Sequence, residues 1–229
     1  MINYKTAGES HGRGYNVIIS GVPAGLQLQA SDIDFHLARR QTGYGRGERM
    51  KTIEKDHVVM ISGVRWGETI GSPVSFFIEN KDWENWGTIM SEKAEDKSDE
   101  FILTKPRPGH ADLAGLIKYG REDLRDVLER ASARETAARV AAGSVCIKLL
   151  SELGIRIHSF TKEIGGIRGK AARYNYDDVV RKTASSAVRC LDKDAEKEMI
   201  KAIDKAKDSG DTDIRAFAKR PSRRFSHTS

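Results

Sequence analysis

Cysteine is nearly absent from this chain. Cys146 and Cys190 are the two among 229 residues, they stand far apart in helix-like stretches, and neither belongs to a C-x-x-C pair. A disulfide framework and a structural zinc site are therefore unsupported, no metal is expected, and a reducing cytoplasm is the expected setting. Long apolar runs are missing too. Nothing approaches the roughly 18 residues that a membrane-crossing helix needs. The opening Met1-Ile2-Asn3-Tyr4-Lys5 lacks the basic-then-apolar layout of a signal peptide, so no membrane segment is expected. Internal repeats and named nucleic-acid-binding motifs are absent as well. The formal charge of +6 and a sequence pI near 9.3 suit nucleic acid, anionic lipid or a multiply charged metabolite equally, and charge alone does not choose.

What is present is a globular composition, 38% hydrophobic, enough for one large or two small domains. Residues 15–20 (YNVIIS) read as a strand ending in the loop 21–25. Ser31 with Asp34 forms a capping signal for a helix whose Ile33 and Leu37 share a face. Residues 57–64 (HVVMISGV) and 73–78 (PVSFFI) read as neighbouring strands of one sheet. Residues 80–100 are polar and aperiodic, an irregular excursion in which Trp83 and Trp86 either pin the loop to the body or form a lid. From 122 to 153 the spacing predicts a long buried helix or a broken pair, with an unusually small-residue run at 137–144. A strand over 155–160 and helices over 176–188 and 192–207 complete the reading.

Three segments combine Arg or His with glycine. Residues 39–49, RRQTGYGRGER, hold four arginines and three glycines. From Arg39 to Lys51 five basic residues face the single acid Glu48. A merely solvated basic face needs no glycines, so Gly43, Gly45 and Gly47 favour a shaped anion-binding loop. Residues 7–12, AGESHG, place the adjacent Ser10 and His11 between glycines. Adjacent Ser and His cannot serve each other as nucleophile and base, so His11 reads as a proton donor or as an exposed loop histidine. In KPRPGHAD, Pro106 and Pro108 stiffen the chain before Gly109, His110 is presented from a turn, and Asp112 is placed to cap the next helix. Arg130 and Arg134 flank small residues at a helical spacing of four, which puts both guanidiniums on one face with room for a planar ligand. Pairing of these arginines with Glu129 and Glu135 is the competing reading and stays open.

GESHG, RRQTGYGRGERM, RPGHADLAGLIKYG and RASARET, in this order and at these intervals, resemble the chorismate synthase family from Met1 through about Asp208. The resemblance implies an α+β fold with helices sandwiched between antiparallel β-sheets, and a homotetramer. It implies a lyase of the shikimate pathway and aromatic amino acid biosynthesis: the anti 1,4-elimination of phosphate from 5-enolpyruvylshikimate 3-phosphate, requiring reduced FMN without net redox change. Carried over position by position, His11 protonates the departing phosphate and His110 supplies a proton to the reduced flavin. Ser10, Arg40, Arg46, Arg49 and Arg134 hold the substrate's phosphate and carboxylates. Arg130, Ala131 and Ser132 contact FMN, and Arg40 and Arg46 also match positions associated with NADP, with NADPH as a flavin reductant.

The family is longer than this chain. After Thr212 it continues into a Gly-rich strand segment, further flavin contacts and an acidic residue. Residues 213–229 instead carry five Arg and Lys between Arg215 and Arg224 and no strand or helix pattern. The expectation is an incomplete family domain over 1–212 followed by a disordered basic tail over 213–229, produced by a frameshift or aberrant stop. An inactive fragment, alone or associated with a complete subunit, is the alternative to an active enzyme.

Overall fold

A computed structural model describes residues 1–45, 56–170 and 174–209, and the backbone of 216–219. The chain divides into two compact units, one of Met1–Arg40 and Thr52–Cys146, the other of Gln41–Lys51 and Ile147–Ser229.

The first unit is built on a four-stranded antiparallel sheet of β1 (Asn3–Gly8), β2 (Gly14–Ser20), β6 (Val74–Glu79) and β3 (Val58–Ser62), in that order. Alternation along β2 and β6 buries Tyr15, Val17 and Ile19 beside Val74, Phe76 and Ile78, the period-two pattern of a sheet with one covered face. The short hairpin of β4 (Val64–Arg65) and β5 (Glu68–Thr69) fills the connection between β3 and β6. In helix α1 (Ala30–Gln41) the buried stripe is Ile33 and Leu37, as their spacing predicts. Asp34 ties α1 to β3 by accepting from the Val58 backbone N at 2.9 Å. Residues 80–100 are irregular, with short 3-10 turns at Trp83–Asn85, Ala94–Asp96 and Asp99–Phe101.

Three further helices are α2 (Asp112–Tyr119), α3 (Arg125–Ala131) and α4 (Thr136–Glu152). The 122–153 helical pattern is thus a broken pair. Ser132 breaks it: its backbone is extended (φ −69°, ψ 147°) and its hydroxyl accepts from Arg134 N, starting a 3-10 turn over Ala133–Glu135. Ala137, Ala138, Ala141 and Ala142 on α4 are buried, the small-residue run seen in the sequence.

In the second unit β7 (Phe160–Ile164) pairs antiparallel with β8 (Ile167–Arg168) and β9 (Ala216–Lys219). Helices α5 (Tyr176–Ala184) and α6 (Lys193–Asp208) accompany them. The core is Ile164, Val188, Cys190, Ala195 and Met199. The strand expected over 155–160 starts later because Gly154 and Ile155 close α4: Gly154 N donates to Ser151 O and Ile155 N to Leu150 O, with Gly154 left-handed. The helix expected over 176–188 stops at Ala184, where Ser185 and Ser186 turn their hydroxyls to Lys182 O and Glu196. Four residues of the segment expected to be a disordered tail form β9 instead. The architecture is α+β with antiparallel sheets.

Candidate active site

The loop 9–13 joins β1 to β2 and carries Ser10 and His11. The glycine that ends β1 and leads into this loop has a steric reason: a side chain on Gly8 (φ 122°) would stand 2.1 Å from Gly14 O. The loop is held from two sides. Asn80, buried at the end of β6, donates from Nδ2 to Gly12 O at 2.8 Å and to Ser10 O at 3.3 Å. On the other side Glu129 of α3 accepts from Ser10 N through its backbone carbonyl (3.0 Å) and from His11 N through its carboxylate (2.8 Å).

That carboxylate also holds the imidazole. His11 Nδ1 is 2.9 Å and 3.0 Å from the two Glu129 oxygens, and Arg125 approaches the same carboxylate at 3.4 Å. Glu129 is 1% exposed. Burial works against its ionisation, but the hydrogen bonds from the His11 ring and backbone and the Arg125 charge prevail, leaving the carboxyl below its ordinary value. Trp86 lies on the imidazole with ring centroids 3.8 Å apart, and its Nε1 donates to Asp82 at 3.0 Å. Trp86 therefore packs on the motif histidine. Ser10, itself buried, donates to Ser132 Oγ at 2.9 Å, so the AGESHG and RASARET segments meet directly.

Arg40 and Arg134 converge on Asp56. Arg134 Nη1 is 2.6 Å from Asp56 Oδ1 and Arg40 Nη1 is 3.7 Å from Asp56 Oδ2. Arg40 also donates to Thr136 Oγ1 and Ala133 O, both at 3.1 Å. These guanidiniums sit inside the unit, the residues only 8% and 6% exposed. Arg130 does not share a face with Arg134, because the extended Ser132 separates α3 from the following turn. It reaches instead to Gly8 O at 2.6 Å and Thr6 Oγ1 at 3.3 Å, with Glu135 at 3.8 Å. Arg46 and Arg49 lie outside the described residues. In the preceding loop Gly43 and Gly45 both have positive φ (131° and 74°).

His110 is exposed in a bend before α2. Asp112 is not the cap of α2. It is the first helical residue, and its buried carboxylate takes Arg107 in a fork, from Nε and Nη2 at 2.8 Å each and from the backbone N at 3.0 Å. This clasp fixes the KPRPGHAD turn, and the Arg107 hydrogen bonds pull the Asp112 carboxyl down to about 2 despite its burial. Beside it a cavity of about 750 Å³ is lined by Ala111, Ala114, Gly115 and Lys118 of the α2 segment and by Asp126, Val127, Arg130 and Ala131 of α3. Ala131 is exposed toward solvent. Among the described residues no group of three or more His, Cys, Asp and Glu is placed to hold a metal ion, and no helix is long and apolar enough to cross a membrane.

Sequence reasoning missed Glu129, Asp56 and Asn80 as parts of the site and left Trp86 between a lid and a pin for its loop. Only Trp86 carried a signal, as a large aromatic in an otherwise polar excursion.

A family model described as chorismate synthase matches residues 2–213. The chorismate synthase of Syntrophotalea carbinolica is 53% identical over 211 residues, covering 92% of this chain and 54% of that protein. A chorismate synthase 1 of Bacillus cereus is 54% identical over 216 residues, 92% of this chain and 55% of that one. A solved chorismate synthase crystal structure superposes with a TM-score of 0.70 at 40% identity, over 91% of this chain and 54% of the other. The chain spans about half the length of the curated relatives it matches. With nearly all of its sequence matched at this level, the chain belongs to the chorismate synthase family.

Proposed function

We propose that the chain takes part in the family's reaction, the anti 1,4-elimination of phosphate from 5-enolpyruvylshikimate 3-phosphate to give chorismate. The observation that carries this reading is the constructed setting of His11: its ring is fixed by Glu129 and Trp86, which is costly to build around an idle loop histidine. His11 delivers a proton to the departing phosphate, where developing charge makes an imidazolium most effective. Arg46 and Arg49 hold the substrate's anionic groups together with Arg40, Arg134 and Ser10. For Arg40 and Arg134 this requires the anion to compete with Asp56.

The residues of the α2–α3 cavity fit a flavin: small Ala111, Ala114, Gly115 and Ala131 leave room for a planar ring, and Lys118 and Arg130 offer charge to a phosphate. Arg130 and Ala131 would hold reduced FMN there, with Ser132 next to them in the chain, and His110, which immediately precedes the lining residue Ala111, would exchange a proton with it. Reduced FMN would supply an electron-rich partner for a redox-neutral elimination. NADPH contact at Arg40 and Arg46 is the other use of these two arginines, and at Arg40 it too requires the anion to compete with Asp56. In this reading the chain acts in the cytoplasm within a homotetramer.

A second reading, an inactive fragment, rests on the chain's spanning 54% of its relatives' length. An anaerobic assay with dithionite-reduced FMN and 5-enolpyruvylshikimate 3-phosphate separates the two. Turnover abolished by His11→Ala supports the enzyme, whereas no turnover and no FMN binding supports the fragment.

A further inference from the structure

We propose that Glu129 is a positioning residue for His11, fixing which imidazole nitrogen carries the permanent proton and balancing the ring's charge when it carries two. The inference rests on the reading of His11 as the proton donor for its consequence, but not for its geometry. An ionised carboxylate can only accept, so the contact of Nδ1 with both Glu129 oxygens requires a hydrogen on Nδ1. Proton delivery to a ligand then runs through Nε2. The third contact, from the His11 backbone N, stops the carboxylate from turning away, so loop and ring are oriented by one group. Trp86 covers the ring face and limits its rotation. The logic is that of the carboxylate behind a catalytic histidine, which sets tautomer and orientation and stabilises the imidazolium without itself taking the proton.

Glutamine at this position is nearly isosteric but replaces one acceptor oxygen beside Nδ1 with an NH₂ that can donate to the ring, so a hydrogen on Nδ1 is no longer enforced. Aspartate keeps the charge with a shorter reach.

The test is ¹⁵N-histidine NMR of the 229-residue chain, with the His11 signals identified by their loss in His11→Asn. Expected is a single Nδ1–H pattern for the neutral ring in the parent chain, a mixed pattern in Glu129→Gln, and partial return in Glu129→Asp. In turnover, Glu129→Gln should lower kcat by about 10- to 100-fold with KM within about twofold, and Glu129→Asp should recover part of it. An Nε2–H ring in the parent chain overturns the proposal without any variant, and so does an unchanged pattern and kcat in Glu129→Gln. If the parent chain shows no turnover, the function reading fails alone, because the tautomer pattern still decides the role of Glu129.

Discussion

Arg134 and Asp56 meet inside the first unit at 2.6 Å, with side chains only 5% and 1% exposed, and Arg40 stands 3.7 Å from the other oxygen of the same carboxylate. Two buried cations thus share one acid. Removing that acid by Asp56→Ala leaves both charges without this partner and should cost about 3–5 kcal/mol in urea unfolding. If the two arginines also form an anion clamp, inorganic phosphate should restore stability to the variant, by about 2.7 kcal/mol at a hundredfold excess over its Kd. A variant that unfolds like the parent removes the structural argument. One that is destabilised yet indifferent to phosphate removes the clamp.

The Arg107–Asp112 clasp makes a pH prediction. The Asp112 carboxyl lies at about 2 in the folded chain, against an ordinary value of 3.8, because it accepts three hydrogen bonds from Arg107. A depressed carboxyl stabilises the fold at pH above its unfolded value and loses that contribution as pH falls through its folded one. Asp112→Asn should therefore cost about 1–3 kcal/mol at pH 7. The gap between variant and parent should shrink between about pH 4 and pH 2. A pH-independent gap would assign the loss to packing rather than charge.

The sheet and helix α1 were legible because their patterns are local: β-branched alternation at 15–20 and 73–78, and the four-residue step from Ile33 to Leu37. The site was legible in its motif residues and opaque in their partners. Glu129 lies 118 positions from His11 and Asp56 lies 78 from Arg134, and nothing in the spacing of either acid marks it as a ligand of a distant cation. The misplaced arginine pair has the same origin. A helical spacing of four predicts a common face only if the helix continues, and Ser132, read as a small spacer, uses its hydroxyl to end one helix and begin the next turn.

Gly115 of α2 packs tightly against Val127 of α3. A Cβ there would lie 2.3 Å from Val127 Cγ1. Gly115→Ala gains about 1 kcal/mol of helix propensity. The clash opposes this with about 1–3 kcal/mol of overpacking or forces the helices apart, widening the cavity they line. A lower melting temperature is expected, recovered in part by adding Val127→Ala. If the single variant is as stable as the parent, α2 is free to shift and the cavity is not held by this contact.

Trp86 decides how the 80–100 excursion relates to the motif histidine. Its ring lies 3.8 Å from the imidazole centroid, tilted by 33°, and is anchored through Nε1 to Asp82. A tryptophan that only pinned the loop to the body would leave the reactivity of His11 unaltered when replaced. One that shields the ring would not. Trp86→Ala should speed acylation of His11 by diethyl pyrocarbonate several-fold, read by peptide mass spectrometry, while Trp86→Phe, which keeps an aromatic face but loses the Asp82 bond, should lie between variant and parent. Equal rates in all three chains would mean that Glu129 and the loop backbone suffice to enclose the histidine. An increase confined to the alanine variant would place the shielding in the aromatic face and make the Asp82 hydrogen bond dispensable.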